Sequence, residues 1–267
     1  MPHTFVDVLG RPHEFARPPE RIVSLVPSLT EALFAFGLAE QVAGVTRFCI
    51  EPAAGVATKP RVGGTKNVDI ASVAALAPDI VFANVEENTR ADVDALEAAG
   101  VPVFLTYART VAEAVAELRT IAAITDSKSA ARPIVEDADQ ALRQAEASAG
   151  AGVRTFCPIW RNPWMTINRD TYIHDVLRLS GAANVYADSP ARYPNIELPD
   201  VTAKLPTIVL LPDEPYRFGE KHVPEVIEHL GDVRTHLVDG KMLCWYGPRI
   251  ADSLRRLRAL IGGETGV

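Results

Sequence analysis

The sequence predicts an α/β protein of two lobes, each built on a parallel sheet, with one long α-helix between them. Three observations carry this. Apolar runs of strand length alternate with segments of helical period along nearly the whole chain. The stretch from Asp126 to Gly150, DSKSAARPIVEDADQALRQAEASAG, places Ile134, Val135, Ala138, Ala141, Leu142 and Ala145 at helical spacing, with charged or polar residues at the other positions. The residues before and after this stretch also resemble each other locally. These features predict a first lobe over residues 1–125, a linking helix over 126–150 and a second lobe over 151–267.

Taken in order, Val6 to Glu14 reads as a short hairpin with Gly10 and Pro12 at or near the bend. Arg21 to Val26 is a compact apolar strand. Ser28-Leu-Thr-Glu31 has the form of a capping box opening a helix to Phe36, which Gly37 ends. Val42 to Val45 is a second strand, and Thr46 to Asn67, with Pro52, Pro60, Gly63 and Gly64, reads as loop. Then follow a short helix from Ile70 to Leu76, a strand from Ile80 to Ala83 and a helix from Arg90 to Ala99 stopped by Gly100. A strand from Val103 to Leu105 and a helix from Val111 to Ile124 complete the lobe.

In the linking segment Asp126, Ser127 or Ser129 offers a cap, and Gly150 or Gly152 a stop. Pro133 belongs to the first turn or kinks the second. From Pro133 to Ser148 the helix would run about 24 Å.

Beyond it the same grammar returns. Thr155 to Ile159 is a strand, Thr171 to Leu179 a helix stopped by Gly181, Thr207 to Leu211 a strand and Val223 to Leu230 a helix. His236 to Val238 is a strand and Ala251 to Ile261 a helix. Arg255, Arg256 and Arg258 on that last helix read as a solvated face. Ala77-Pro78-Asp79-Ile80-Val81 is matched by Leu205-Pro206-Thr207-Ile208-Val209, with Glu86 and Glu214 at the same offset. Phe36-Gly37-Leu38-Ala39 with Val42 is echoed by Ser180-Gly181-Ala182-Ala183 with Val185. Together these echoes favour two related lobes over one continuous sheet.

The composition, 48% hydrophobic and 23% charged over 267 residues, is that of a soluble globular protein. No run has the length of a membrane span. The opening MPHTFVDVLGRPHEF has no basic end followed by an apolar stretch, so the chain is expected either in the cytoplasm or without its export segment. A net charge of −7 argues against nucleic acid as the main partner. Cys49, Cys157 and Cys244 form no disulfide framework or zinc pattern and read as buried thiols; the six histidines are scattered. No metal site is expected.

In an open parallel sheet, ligands bind beyond the carboxyl ends of the strands. There the sequence sets Arg47 and Phe48; Glu86, Glu87 and Asn88; Trp160, Arg161, Asn162 and Trp164; Asp213, Glu214, Tyr216, Arg217 and Phe218; and Trp245 and Tyr246. Only 7% of residues are aromatic, yet all three tryptophans fall in this set. Rings at such loops suit a large flat or greasy ligand. The alternative is that some of them cap the sheet end.

Catalysis has little support. No G-x-G-x-x-G follows the first strand, and neither G-x-x-x-x-G-K-[ST] nor G-x-S-x-G occurs. Glu86-Glu87 and Asp213-Glu214 are in principle an acid/base pair, but nothing in the sequence holds a nucleophile or metal beside them.

RIVSLVPSLTEALFAFG, RVGGTKNVDIASVAALAPDIVFAN, ALEAAGVPVFLTYARTVAEAV, NPWMTINRDTYIHDVLRLSGAANVYAD and KLPTIVLLPDEP together resemble the substrate-binding proteins of cobalamin and iron–siderophore ABC importers. The resemblance runs from about Arg21 to Ile261. It implies two Rossmann-like lobes with parallel sheets joined by one backbone helix, the class III periplasmic-binding-protein plan, with a ligand held between the lobes and no catalyst. The vitamin-binding members are the nearer likeness. By position Phe48, Tyr193 and the Trp245-Tyr246 pair match aromatic positions lining their cleft, and Thr65-Lys66-Asn67 falls at its rim.

The rim mixes Arg47, Lys66, Arg161 and Arg217 with Glu86, Glu87 and Glu214, which suits a mixed-polarity corrinoid better than a polyanionic siderophore. Iron–siderophore or haem binding is the alternative ligand class. Importer-type members carry a glutamate on each lobe that pairs with arginines of the permease; the aligned residues here are Ala71 and Pro199, with Asp69, Glu197 and Asp200 close by. An intracellular corrinoid carrier or sensor on the same scaffold is therefore a second expectation.

Overall fold

In each half of the chain the earliest sheet strand lies inside its sheet, with its successor on one side and the third and fourth strands on the other. The structure, a computed structural model, describes residues 3–148 and 150–263. It divides into two compact units. The first takes in the chain up to Ala108, Glu113–Glu136 and Tyr246–Pro248; the second takes in Arg109–Ala112, Asp137–Trp245 and the chain from Arg249 onward.

The first unit opens with an antiparallel hairpin of β1 (His3–Val6) and β2 (Pro12–Phe15). The Asp7 carboxylate organises its bend, accepting from the N–H of Leu9 at 2.9 Å and of Arg11 at 3.0 Å. Gly10 has a φ of 78° there, a conformation that costs a β-carbon-bearing residue. Then come β3 (Ile22–Ser24), α1 (Pro27–Ala35), β4 (Val42–Val45), α2 (Ala53–Val56), β5 (Gly63–Gly64) and β6 (Asn67–Val68). They are followed by α3 (Ile70–Ala75), β7 (Ile80–Asn84), α4 (Arg90–Ala98), β8 (Val103–Thr106) and α5 (Val111–Ile124).

The main sheet has the order β4-β3-β7-β8, every pair parallel. All residues of β3, β7 and β8 are buried, which is why they read as unbroken apolar runs: both faces are covered.

Two expectations are corrected in this unit. The capping box at Ser28 does not form. Pro27 takes the first helical turn, where a proline's missing N–H costs nothing, and Val26 is an N-cap without a side-chain bond. Thr30 instead turns back onto Val26 O at 2.9 Å and Ser24 Oγ at 2.8 Å. Within the expected loop Thr46–Asn67 lie the single turn α2 and the two-residue strands β5 and β6, which pair Gly63 with Val68 and Gly64 with Asn67.

Asp126, at a φ of 52°, separates α5 from the long helix α6 (Lys128–Ala147). That helix starts directly after Ser127, one of the expected caps, so Pro133 falls in its second turn. Its 20 residues run about 30 Å. Ala131, Val135, Ala138, Ala141 and Ala145 are buried along it, as the spacing required, and the division between the units falls within it after Glu136.

The second unit contains β9 (Val153–Phe156), α7 (Tyr172–Leu179), β10 (Ala182–Asn184), α8 (Leu198–Ala203) and β11 (Ile208–Pro212). A 3-10 turn over Glu220–His222 runs into α9 (Val223–Leu230), and β12 (Arg234–Val238), α10 (Lys241–Cys244) and α11 (Ile250–Gly262) follow. The sheet order is β10-β9-β11-β12, again all parallel. Strand β9 stops at Phe156, short of the expected Ile159, because the Ile159 N–H turns to Met165 O at 2.8 Å.

The two sheets thus share one topology, and the local echoes of the sequence occupy equivalent places in it. Gly37 and Gly181 follow α1 and α7 with φ of 79° and 90°. Ala77 and Leu205 precede their prolines with φ of 43° and 48°. The N–H of Asp79 then bonds Arg21 O, and that of Thr207 bonds Arg154 O, each at 2.8 Å. The side chains of the same two arginines cap the preceding turns, Arg21 on Leu76 O and Arg154 on Leu205 O and Lys204 O.

Candidate functional site

The order of strands puts a switch point in each sheet, between β3 and β7 in the first unit and between β9 and β11 in the second. Ligands of open parallel sheets bind beyond the carboxyl ends of strands at such a point. The residues singled out in the sequence sit there in three groups.

In the first unit Arg47 and Phe48 follow β4. The Arg47 guanidinium carbon lies 5.0 Å from the Phe48 ring centroid and its Nη2 donates to Asn67 Oδ1 at 3.3 Å. Phe48 is 49% exposed. Gly64 lets this guanidinium come close, since a β-carbon there would stand 2.9 Å from Arg47 Nη2. Lys66 Nζ donates to Glu86 O, joining the β5–β6 turn to the loop after β7.

That loop is pinned by Asn88, anticipated after the strand, and by Asn84, which the sequence reading passed over. Asn84 N–H donates to Asn88 Oδ1 at 2.8 Å, Asn84 Oδ1 accepts from Glu86 N–H at 2.8 Å, and Asn88 Nδ2 donates to Thr65 O at 3.0 Å. An asparagine at a strand end with a second four residues on was the available signal. Tyr246 is buried in this unit and its hydroxyl donates to Glu87 Oε1 at 3.3 Å. Burial, with Glu87 and Glu117 nearby, holds its hydroxyl well above the usual tyrosine range.

In the second unit Trp160, Arg161 and Trp164 belong to one turn, closed by the bridge between Trp160 and Met165. Trp164 stacks on Phe218 with ring centroids 5.5 Å apart, and Phe218 meets Tyr216 at 4.7 Å. Trp160 meets Tyr216 edge-on at 5.6 Å and is 44% exposed, whereas Trp164 and Phe218 are 8% and 4% exposed. His222, buried behind them, lies edge-on to both Tyr216 and Phe218. Arg161 is held by Glu225 through Nε at 2.8 Å and Nη2 at 2.7 Å, and lies 5.7 Å from the Trp164 ring. Glu225 and His222 were not anticipated; both come from the start of α9 and have no local motif. Tyr193, exposed, carries Arg192 at 5.3 Å over its ring.

The third group joins Glu214, beyond β11, to Trp245, beyond α10. Trp245 Nε1 donates to Glu214 Oε2 at 2.8 Å, and Cys244 Sγ lies 3.8 Å from the same oxygen. Lys241 and Arg249 lie 5.4 and 5.5 Å from the Trp245 ring. Gly240 packs against the Glu214 backbone so closely that a β-carbon would come within 2.5 Å of Glu214 N. Burial raises the Glu214 carboxyl; the Trp245 bond and Lys241 oppose this, and Asp213 and Asp239 add to it. Trp245 and Tyr246 are adjacent in sequence but bind different carboxylates, Glu214 in the second unit and Glu87 in the first.

Ala71 and Pro199 are exposed and equivalently placed, each second in the helix before its left-handed residue and proline, α3 and α8. Among the described residues no three His, Cys, Asp or Glu gather so as to hold a metal ion, and no helix is long and apolar enough to cross a membrane.

Two parallel-sheet units of one topology, with rings and mixed charges at their switch points, define a ligand-binding α/β protein. A family model described as periplasmic binding protein matches residues 22–214, and the chain belongs to that family. It is 25% identical over 201 residues to a vitamin B12-binding protein of Pectobacterium carotovorum, covering 74% of this chain and 72% of that one. It is 26% identical over 199 residues to a vitamin B12-binding protein of Yersinia pestis, covering 73% and 70%.

Among solved structures it resembles the periplasmic vitamin B12 binding protein of Vibrio cholerae, with a TM-score of 0.80, 21% identity and coverage of 92% and 97%. It also resembles a periplasmic heme binding protein from Pseudomonas aeruginosa, with a TM-score of 0.79, 24% identity and coverage of 93% and 94%. These likenesses carry the fold, and the expected class III periplasmic-binding-protein architecture is the one found.

Proposed function

We propose that this protein is a non-catalytic receptor that captures a corrinoid at the carboxyl ends of its sheet strands, as the substrate-binding component of an ABC importer. The observation that carries the reading is the pairing of exposed rings with balanced charge. Exposed Phe48, Trp160 and Tyr193, with half-buried Tyr216 beside Trp160, offer apolar faces or edges to a large ring system. Arg161 is paired with Glu225, and Arg47, Lys66 and Arg217 alternate along the strand-end loops with Glu86, Glu87 and Glu214, a mixture of signs rather than the cationic cluster a polyanion calls for. The buried rings Trp164 and Phe218 hold Arg161 and Tyr216, Trp245 and Tyr246 hold Glu214 and Glu87, and Asn67, Glu86 and Glu214 supply hydrogen bonds at the margin. The curated relatives named for vitamin B12 binding support the same ligand.

On this reading the protein works outside the cytoplasm beside a permease, as its family's description implies. Asp69, Glu197 and Asp200, which flank Ala71 and Pro199, then take the part of the docking acids. Protein purified from a corrinoid-fed culture should carry the visible absorption of the ligand, and one equivalent of added cobalamin should shift its bands. Colourless protein with no shift removes the corrinoid and leaves haem or a ferric siderophore to be titrated next. Recovery of the native protein only from the cytoplasm would favour an intracellular carrier instead.

A further inference from the structure

The Glu214–Trp245 pair does more than hold the second unit together. The indole N–H occupies Glu214 Oε2 at 2.8 Å, whereas Oε1 receives no protein donor among the described residues. The carboxyl is half-buried at the carboxyl end of β11, where its geometry is fixed from three sides. Trp245 holds the head group, Gly240 lies against its backbone, and the neighbouring Asp213 Oδ1 accepts from Gly240 N–H at 2.7 Å. A rigid carboxyl with one free oxygen is a selective hydrogen-bonding group, because a ligand that cannot complete its bond leaves it desolvated and unpaired.

We propose that Glu214 is a specificity-determining residue, which accepts carboxamide arms of the ligand and rejects the corresponding carboxylates. This rests on the corrinoid reading above and names the ligand chemistry that the second unit selects.

The chemistry follows from the charge states. A carboxamide can donate its N–H to ionised Glu214 or accept from the protonated form. A carboxylate can only accept, and so pairs with Glu214 only while the latter keeps its proton. Burial favours that proton, and Asp213 and Asp239 reinforce it, while Trp245 and Lys241 work against it. Cys244 and Arg249 also lie beside the pair. Discrimination against carboxylates should therefore grow as pH rises and Glu214 ionises.

The test is a pair of titrations between pH 5 and 8.5, with dicyanocobinamide, whose arms end in carboxamides, and with dicyanocobyrinic acid, whose arms end in carboxylates. The expected result is a preference for the carboxamide ligand that widens with pH to on the order of tenfold or more. Glu214→Gln, which keeps the shape and the Trp245 acceptor but cannot ionise, should abolish the pH dependence of the ratio, whatever it does to the absolute affinities. Equal affinities in the parent, or an unchanged pH-dependent ratio in Glu214→Gln, overturn the assignment while the corrinoid reading stands. Binding of neither compound overturns the corrinoid reading, and the assignment with it.

Discussion

Trp164 lies almost flat on Phe218, their planes inclined by 15°. Each ring uses the face of the other, and both are buried. Trp160, four residues earlier, touches Tyr216 only edge-on and leaves much of its indole open. Two tryptophans of one turn thus have different work. Trp164→Ala should cost about 3–5 kcal/mol of stability in chemical denaturation, as expected when a large core ring is deleted. Trp160→Ala should leave stability within about 1 kcal/mol and weaken ligand binding by roughly 1–3 kcal/mol. The reverse pattern would mean that the open ring is structural.

Glu117 on α5 gives a second prediction. Its Oε1 accepts from Tyr107 N–H at 2.6 Å, while Oε2 is buried without a partner. Burial is the main cause that pushes its carboxyl up to about 7, with Glu113 adding to it and the Tyr107 bond opposing. The folded protein therefore keeps a proton that the unfolded chain loses near the ordinary carboxylate range. Its stability contribution is present below that range and is lost as pH rises towards 7. Glu117→Gln should be the more stable protein at pH 8, by about 3 kcal/mol at most, with the advantage shrinking below pH 5. Urea midpoints at the two pH values check this; a variant less stable at pH 8 contradicts it.

Leu205 offers a third. It holds a φ of 48° and is 69% exposed, so its side chain contributes little while its β-carbon strains the backbone. Leu205→Gly should be neutral or stabilising by up to about 1 kcal/mol, read as a rise in Tm. Clear destabilisation would show that the exposed side chain packs against something that matters.

The repeat between the halves was legible because it is written in backbone chemistry. Ala77-Pro78 and Leu205-Pro206 mark the same left-handed turn before the third strand of each sheet, and no tertiary information is needed to see it. The parallel strands were legible as apolar runs. What the sequence hid was short or shared. The strand β10, the turns α2, α8 and α10, and the β5–β6 pair are too brief for any period to emerge. The start of α6 was legible from its serine caps, and Pro133 sits in the second turn. Among the candidate residues, proximity to strand ends located the groups, yet nothing local distinguishes exposed Trp160 from buried Trp164. Burial there depends on Phe218, more than 50 residues away in the chain and itself backed by His222.

Gly240 provides a prediction of its own. With Glu214 N 2.5 Å from any β-carbon placed there, Gly240→Ala must displace the loop that carries Glu214. It should cost about 1–3 kcal/mol of stability and weaken ligand binding, although residue 240 need not touch the ligand. Differential scanning and a binding titration together check this; an unaffected affinity would separate Glu214 from the binding site.

The central claim is that sheet ends bearing open rings and charges of both signs hold a corrinoid. Calorimetric titration of the purified protein with cobalamin, at protein concentrations high enough to detect micromolar binding, tests it most directly. One equivalent bound, with heat release that falls in Trp160→Ala, is the predicted result. No heat with cobalamin, alongside saturable binding of haem or a ferric siderophore, would contradict it.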